Sequence, residues 1–429
     1  MRILRHSDPQ FGADVAGLQR KAAPHPEVEK TVRDVLHRVR AEGDSALLEF
    51  THRFGGPRLT ASALRIATSP QVDLRTRAAI SAAHANVSAF ARKSLRKPWS
   101  MKNAQGAVVG ERFDPFQRVG IYVPGGTAPL VSTAVMTVTL AATAGVPEIV
   151  VTTPSDREGK LSDALLYALR FCGATEIYQV GGAQAIAALA YGTQTIAPVQ
   201  KIFGPGNAYV VEAKRQVFGQ VAIDLLPGPS EIFVLADSSA NPAWIAADLL
   251  AQAEHGKGSA IIFATNSARL LTAVEQAIRT QLATLSRQEA LAGVLEKDCA
   301  LILVKTLKDG VRLANDFAPE HIAIIAKDEE AIASQITTAG AIFLGGYSPV
   351  AAGDFLAGPS HTLPTGGGGK SFPGLTVDMF QRRTSLVRLD AKSLGRSVET
   401  ITTFGELEGL DAHGRSASIR FDQASRLSG

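Results

Sequence analysis

From Gly120 onward the chain is built of short apolar runs that end at Gly or Pro and are followed by Ala-rich helical segments. The first four runs are Ile121-Tyr122-Val123, Glu148-Ile149-Val150-Val151, Glu176-Ile177-Tyr178-Gln179-Val180 and Lys201-Ile202-Phe203. Five more follow: Ile232-Phe233-Val234-Leu235, Ala260-Ile261-Ile262-Phe263, Leu301-Ile302-Leu303-Val304, His321-Ile322-Ala323-Ile324 and Ala341-Ile342-Phe343-Leu344. Near-continuous apolar strands alternating with helices indicate parallel sheets covered on both faces. These runs exceed one comfortable doubly wound sheet, so two α/β units are expected, with no clear sequence repeat between them. A length of 429 residues is consistent with this, since a domain takes roughly 150.

Two flanking regions have a different texture. Residues 26–96 read as helical, with apolar positions every three or four residues; Val32, Val35, Leu36 and Val39 make one such stripe. His25, His37, His52 and His84 fall in this charged region and read as surface or boundary histidines. Residues 376–429 are richer in charge, show no strong strand run and read as a small helical appendage, either a dimerisation arm or a loosely packed end.

Composition excludes several classes. The hydrophobic fraction of 45% rules out wholesale disorder. Lys plus Arg (44) nearly balances Asp plus Glu (40), and the basic residues are scattered, which argues against a nucleic-acid binder. Cys172 and Cys299 cannot build a disulfide framework and read as packing residues. The N-terminus lacks the apolar core of a signal peptide, and no apolar stretch is long enough for a membrane span. The cytoplasm is the expected compartment.

A nicotinamide-binding domain of the Rossmann type should carry Gly-x-Gly-x-x-Gly after its first strand, and this sequence does not. Three other turns occupy strand-to-helix positions: Val123-Pro124-Gly125-Gly126, Val180-Gly181-Gly182-Ala183-Gln184 and Phe203-Gly204-Pro205-Gly206-Asn207. Each brings backbone N–H groups to a helix start, where an anionic group is favoured. Gly also makes ordinary tight turns, but three on consecutive strand ends favour a nucleotide cleft. The stretch Thr365-Gly366-Gly367-Gly368-Gly369-Lys370-Ser371 imitates a phosphate-binding loop. Pro364 stands where that motif needs Gly, and no apolar strand leads in, so a flexible loop is expected.

Histidines of the second half each lie beside a carboxylate or amide. Gln252 and His255, three apart at a helix end, can point at one atom. Glu320-His321 stands where a helix hands over to a strand. Gly353-Asp354 and His361 frame a Gly- and Pro-rich loop, and Glu408 and His413 sit in the tail. Two His, an Asp and a Gln would suit zinc or a similar metal, although their scatter supplies no ligand spacing and capping or ion-pair duty competes. A Glu-His dyad at a strand end is a credible general base pair.

Taken together, RVGIYVPGGTAPLVSTAVM (118–136), VGGAQAIAALAYGT (180–193), KIFGPGNAYVVEAKRQV (201–217), GPSE (228–231), DLLAQAEHG (248–256), APEH (318–321) and AGDFLAGPSHTLPTGG (352–367) resemble the histidinol dehydrogenase family. The match runs in order from about residue 25 to the C-terminus. Departures are minor: Phe355-Leu356-Ala357-Gly358-Pro359-Ser360 replaces a stretch where Tyr and Asn are often found, and Gly366–Gly369 is unusually glycine-rich.

The resemblance implies an NAD-dependent, zinc-containing homodimer that oxidises L-histidinol through L-histidinal to L-histidine, the last step of histidine biosynthesis. It implies zinc ligands Gln252, His255, Asp354 and His413, and acid/base residues Glu320 and His321. Substrate contacts would come from Ser230, Gln252, His255, His321, Asp354, His361, Glu408 and His413. Tyr122, Gln184 and Asn207 would contact NAD. The C-terminal tail would reach the partner subunit, so that His413 and Glu408 complete its site; neither nucleic acid nor membrane is an expected partner.

The implied architecture is α/β: two Rossmann-like parallel-sheet domains, an N-terminal helical segment and a small helical C-terminal dimerisation domain. Residues 1–24 would be an arm. Residues 25–118 with 234–375 would form the first α/β domain, carrying most zinc and catalytic residues. Residues 119–233 would form the second, on the NAD side, and 376–429 the tail. A paralogous zinc/NAD dehydrogenase for another small amino alcohol or polyol is the main rival. A non-catalytic nucleotide-binding regulator predicts loss at the dyad or ligand positions, all of which are present.

Overall fold

The computed structural model describes residues 1–18, 26–68, 70–125 and 129–422; His25 and Gly126 lie outside the described residues. In chain order the strands are β1 (Arg2–Arg5), β2 (Trp99–Lys102), β3 (Val108–Pro115), β4 (Arg118–Tyr122), β5 (Glu148–Thr152), β6 (Glu176–Tyr178) and β7 (Lys201–Phe203). They continue with β8 (Ala222–Ile223), β9 (Glu231–Ala236), β10 (Ala260–Thr265), β11 (Cys299–Leu303), β12 (His321–Ile325), β13 (Ala341–Leu344) and β14 (Gln381–Arg388). All nine apolar runs are therefore strands.

The chain divides into two compact units, residues 1–94 with 116–380, and residues 95–115 with 381–429. The first holds two parallel sheets, ordered β1-β11-β10-β9-β12-β13 and β6-β5-β4-β7-β8. In the six-stranded sheet β9 and β10 are buried along their whole length, as a central strand covered on both faces must be. Helices on either face close two apolar layers, one around Ile232, Leu249 and Phe263 and the other around Phe233, Ile262 and Ile324.

Packing of the flanks differs from the domain boundaries expected from the sequence. The helices Pro26–Glu42 and Asp44–Arg53 lie on the five-stranded sheet, not with residues 234–375. The stripe Val32, Val35, Leu36 and Val39, joined by Leu47 and Phe50, is buried in one core with Ile186, Ile202 and Val210. The cause is the stripe itself, which continues the apolar face of the helix Gly182–Tyr191. His37 and His52 are exposed and His84 is half-buried, its ring edge-on to Phe171. Nor are residues 2–5 a free arm: β1 adds a parallel edge strand beside β11.

The second unit corrects the purely helical reading of residues 376–429. There β14 pairs antiparallel with β3 over eight residues, and β2 completes a three-stranded sheet. The alternation in Gln381–Arg388 is hidden because most of the strand is exposed and its side chains are largely polar. Helices Val398–Glu408 and Asp411–Ser418 follow, packed where Gly405 meets Gly414 without intervening side chains. Cys172 and Cys299 are free and buried, and burial pushes their thiols up to about 11 and about 12, as inert packing residues require. No helix among the described residues is long and apolar enough to cross a membrane.

Asp248, on the helix Pro242–Ala253, is pushed up to about 6 by burial alone. Its folded value exceeds the unfolded value of about 3.9. The stability it contributes is thus present at acid pH and lost as pH rises through about 6. Asp248→Asn should raise the melting temperature at pH 8 and raise it less at pH 5; an equal shift at both would contradict this assignment.

Candidate active site

Register in the six-stranded sheet creates the polar cluster. His321, the first residue of β12, pairs with Ile232, so Glu320 and His321 come abreast of Ser230 and Glu231 at the amino ends of β9 and β12. The chain reaches this point through Ala318, which has φ +54°, the one non-glycine residue with positive φ among the described residues. Such a conformation is uncommon and clusters at functional sites.

Around the dyad the bonds are short and specific. Ser230 Oγ donates to Glu320 Oε2 at 2.6 Å, and the Glu231 N–H donates to the same oxygen at 2.8 Å. His321 Nδ1 lies 2.9 Å from the Glu231 carbonyl oxygen. A carbonyl only accepts, so Nδ1 carries a proton, and Nε2 is the nitrogen left to exchange one. That nitrogen stands 3.7 Å from Asp354 Oδ1, too long for a direct hydrogen bond. Burial raises the Glu320 carboxyl above the usual range; the neighbouring His321, Ser230 and the Glu231 N–H offset this in part. The result is a carboxyl able to hold a proton beside an imidazole oriented to accept one.

Other expected residues gather here. Gln252 ends the helix Pro242–Ala253 and is buried, and its amide nitrogen has no hydrogen-bond partner. His255 follows in the next turn, close enough to act electrostatically on Glu320 and His361. Asp354 lies on the helix Val350–Phe355, and its carbonyl accepts from His361 Nδ1 at 3.0 Å. His361 Nε2 is 3.2 Å from the Thr133 hydroxyl, near the start of the helix after β4, and burial holds its imidazole below the usual histidine range. The glycine-rich stretch is tied down rather than free: the Gly228 N–H donates to Thr365 Oγ1 at 2.5 Å and the Gly366 N–H to Glu231 Oε1 at 2.9 Å. Glu408 and His413 belong to the second unit, where both are exposed.

Tyr122, Gln184 and Asn207 come together at the carboxyl edge of the other sheet. They line a cavity of about 510 Å³ with Gly125, Gly181 and Gly182 from two of the glycine turns. The Gly182 N–H donates to the Tyr122 hydroxyl at 3.2 Å, and Asn207 Oδ1 caps its helix through the Tyr209 and Val210 N–H groups. The sequence reading missed four participants. Glu231 holds both dyad residues through its backbone, and Thr133 touches His361. Ser155 and Gln179 line the cavity with buried side-chain oxygens that lack partners, as does Gln184. Buried polar atoms are ordinarily hydrogen-bonded, which sets these three oxygens apart from the rest of the lining. Glu231 closes the GPSE string, Thr133 lies within the 118–136 string and Gln179 within an apolar run, but none carries a residue-level signal for its role, and nothing local marks Ser155.

As a metal centre this unit supplies only part of a ligand set. Among the described residues no three His, Cys, Asp or Glu side chains form a metal-holding group. Of the four expected ligands, this unit brings an amide, an imidazole and a carboxylate to one region. Those donor types fit zinc, and the orphaned Gln252 amide becomes an acceptor on exchanging its nitrogen and oxygen.

Comparison with known proteins is consistent along the whole chain. The family model for histidinol dehydrogenase matches residues 18–421. A histidinol dehydrogenase of Syntrophotalea carbinolica is 43% identical over 427 residues, covering 98% of this chain and 99% of that one. One from Geobacillus kaustophilus is 42% identical, covering 92% and 95%. The crystal structure of histidinol dehydrogenase from Elizabethkingia anophelis superposes with a TM-score of 0.93 at 32% identity, covering 98% of both chains. The chain belongs to the histidinol dehydrogenase family, which are oxidoreductases.

Proposed function

We propose that this enzyme carries out the NAD-dependent, four-electron oxidation of L-histidinol to L-histidine through L-histidinal, in the cytoplasm, as a homodimer. The observation that supports this most is the dyad: His321 Nδ1 is committed to the Glu231 carbonyl, leaving Nε2 to accept a proton, beside a buried Glu320 whose carboxyl is raised. Bound NAD would supply the hydride acceptor for both half-reactions, and bound zinc, held by Gln252, His255, Asp354 and the partner chain's copy of residue 413, a seat for the substrate imidazole.

As hydride leaves the carbinol carbon, the hydroxyl must lose its proton, and His321 Nε2 is the base that takes it. The aldehyde must then gain water before a second hydride can leave. Glu320 takes the proton from that water, and its burial keeps it able to hold one. Ser230 fixes Glu320 through its hydroxyl, and Asp354 faces the nitrogen of His321 that exchanges the proton. His361 is a neutral hydrogen-bonding group for the substrate, oriented by Thr133 and the Asp354 carbonyl. Glu408 of the neighbouring chain balances the substrate ammonium.

His321→Ala should lower kcat for alcohol oxidation by about 10²–10⁴. Glu320→Gln should slow L-histidinal oxidation more than L-histidinol oxidation, measured separately by stopped flow; equal losses would refute this division of labour. Removing zinc should weaken L-histidinol binding, and a verified metal-free enzyme with full activity would refute the zinc assignment. Coexpressed His413→Ala and His321→Ala chains should regain activity in mixed dimers, where one site is intact. Proven heterodimers without recovery would show that each chain supplies its own His413.

A further inference from the structure

A buried ion pair outside the dyad grips one of the glycine turns. Lys214 lies on the helix Ala208–Val217, and Asp224 directly follows β8. Their side chains are both 0% exposed and bond to each other through Lys214 Nζ and Asp224 Oδ1. Lys214 Nζ also donates to the Gly204 carbonyl oxygen at 2.8 Å, and the Gly204 N–H donates to Asp224 Oδ2 at 2.7 Å. One ion pair thus holds both polar groups of a single residue.

Gly204 is where the chain leaves β7 for the turn to Asn207. Its φ is +106°, and a Cβ there would overlap the carbonyl oxygen of Tyr122, so the turn is pressed against the end of β4. Tyr122 and Asn207, on the two sides of this contact, both line the 510 Å³ cavity. Taking two charges out of water is costly, and a well-packed apolar pair often serves stability equally well. Neither charge reaches the dyad. What the pair does that an apolar pair cannot is bond both the N–H and the carbonyl of Gly204. A Gly-Pro-Gly turn fixed in advance need not be ordered when a ligand arrives, which strengthens binding.

We propose that Lys214 and Asp224 are positioning residues for the dinucleotide cofactor: their ion pair clamps the N–H and the carbonyl of Gly204 and holds the Gly204–Asn207 turn against Tyr122. This rests on the reading of the cavity as the NAD site. The pair orients the turn and does not touch the cofactor.

The test compares Lys214→Met, Asp224→Leu and the double variant, using NAD alone as the calorimetric probe and thermal unfolding in parallel. Each single variant leaves one buried charge uncompensated and lowers the melting temperature. The double variant removes both charges but leaves the Gly204 N–H and carbonyl without these partners, so it regains only part of the melting temperature, and it binds NAD about tenfold more weakly, equivalent to about 1.4 kcal/mol. A double variant that binds NAD as the wild type does overturns the clamp. Gln184→Leu and Asn207→Ala separate the two levels. If they lose NAD affinity while the double variant keeps it, the clamp alone fails; if they bind NAD normally, the cofactor site fails, and the clamp with it. Should the variants not fold, amide exchange in the wild-type enzyme without NAD decides: a protected Gly204 N–H supports the clamp, and exchange at the free-peptide rate overturns it.

Discussion

The register of β12 against β9 is the constraint on which the rest of the site depends. With His321 opposite Ile232, the backbone of Glu231 donates to Glu320 and accepts from His321. A slip of one residue would turn His321 to the other face of the sheet and break both bonds. Register in a fully buried parallel sheet is held by the packing of both faces, here Ile322 and Ile324 on one side and Ala323 on the other. The apolar core therefore sets the tautomer of the histidine, and through it which nitrogen is basic.

The arrangement departs from the usual habit of open α/β sheets, whose ligands sit beyond the carboxyl ends of the strands. The cavity lined by Tyr122, Gln184 and Asn207 obeys that habit in the five-stranded sheet. The dyad does the reverse, standing at the amino ends of β9 and β12. The two edges meet where Thr133, near the start of the helix after β4, touches His361. That meeting is how one pair of sheets can offer a proton acceptor on one side and a cavity of about 510 Å³ on the other.

Much of this was legible in the residues. The nine apolar runs gave every strand of the two parallel sheets except the edge strands β1 and β8, because buried parallel strands write themselves as continuous Val, Ile and Leu. The antiparallel sheet was illegible, since β14 is mostly exposed and polar and β2 wholly exposed. The stripe Val32 to Val39 announced a buried helix face but not its partner, and long-range packing placed it on the other sheet. Of the site, Glu320, His321, Gln252, His255, Asp354 and His361 carry recognisable chemistry and do share one region. Glu231 was harder to see because it grips the Glu320 and His321 side chains through its backbone, and backbone has no signature in a sequence. Ser155 is an ordinary residue made notable only by where the fold leaves it, and Thr133, although inside the 118–136 string, is set apart from its neighbours only by its contact with His361.

The proposed reaction is two successive oxidations at one site, with His321 and Glu320 as the proton acceptors. The most direct measurement is the amount of NADH formed per molecule of L-histidinol, with zinc present and NAD in excess. The proposed reaction yields two NADH and L-histidine as product. One NADH with L-histidinal accumulating, or none from a folded, zinc-loaded dimer, would contradict it.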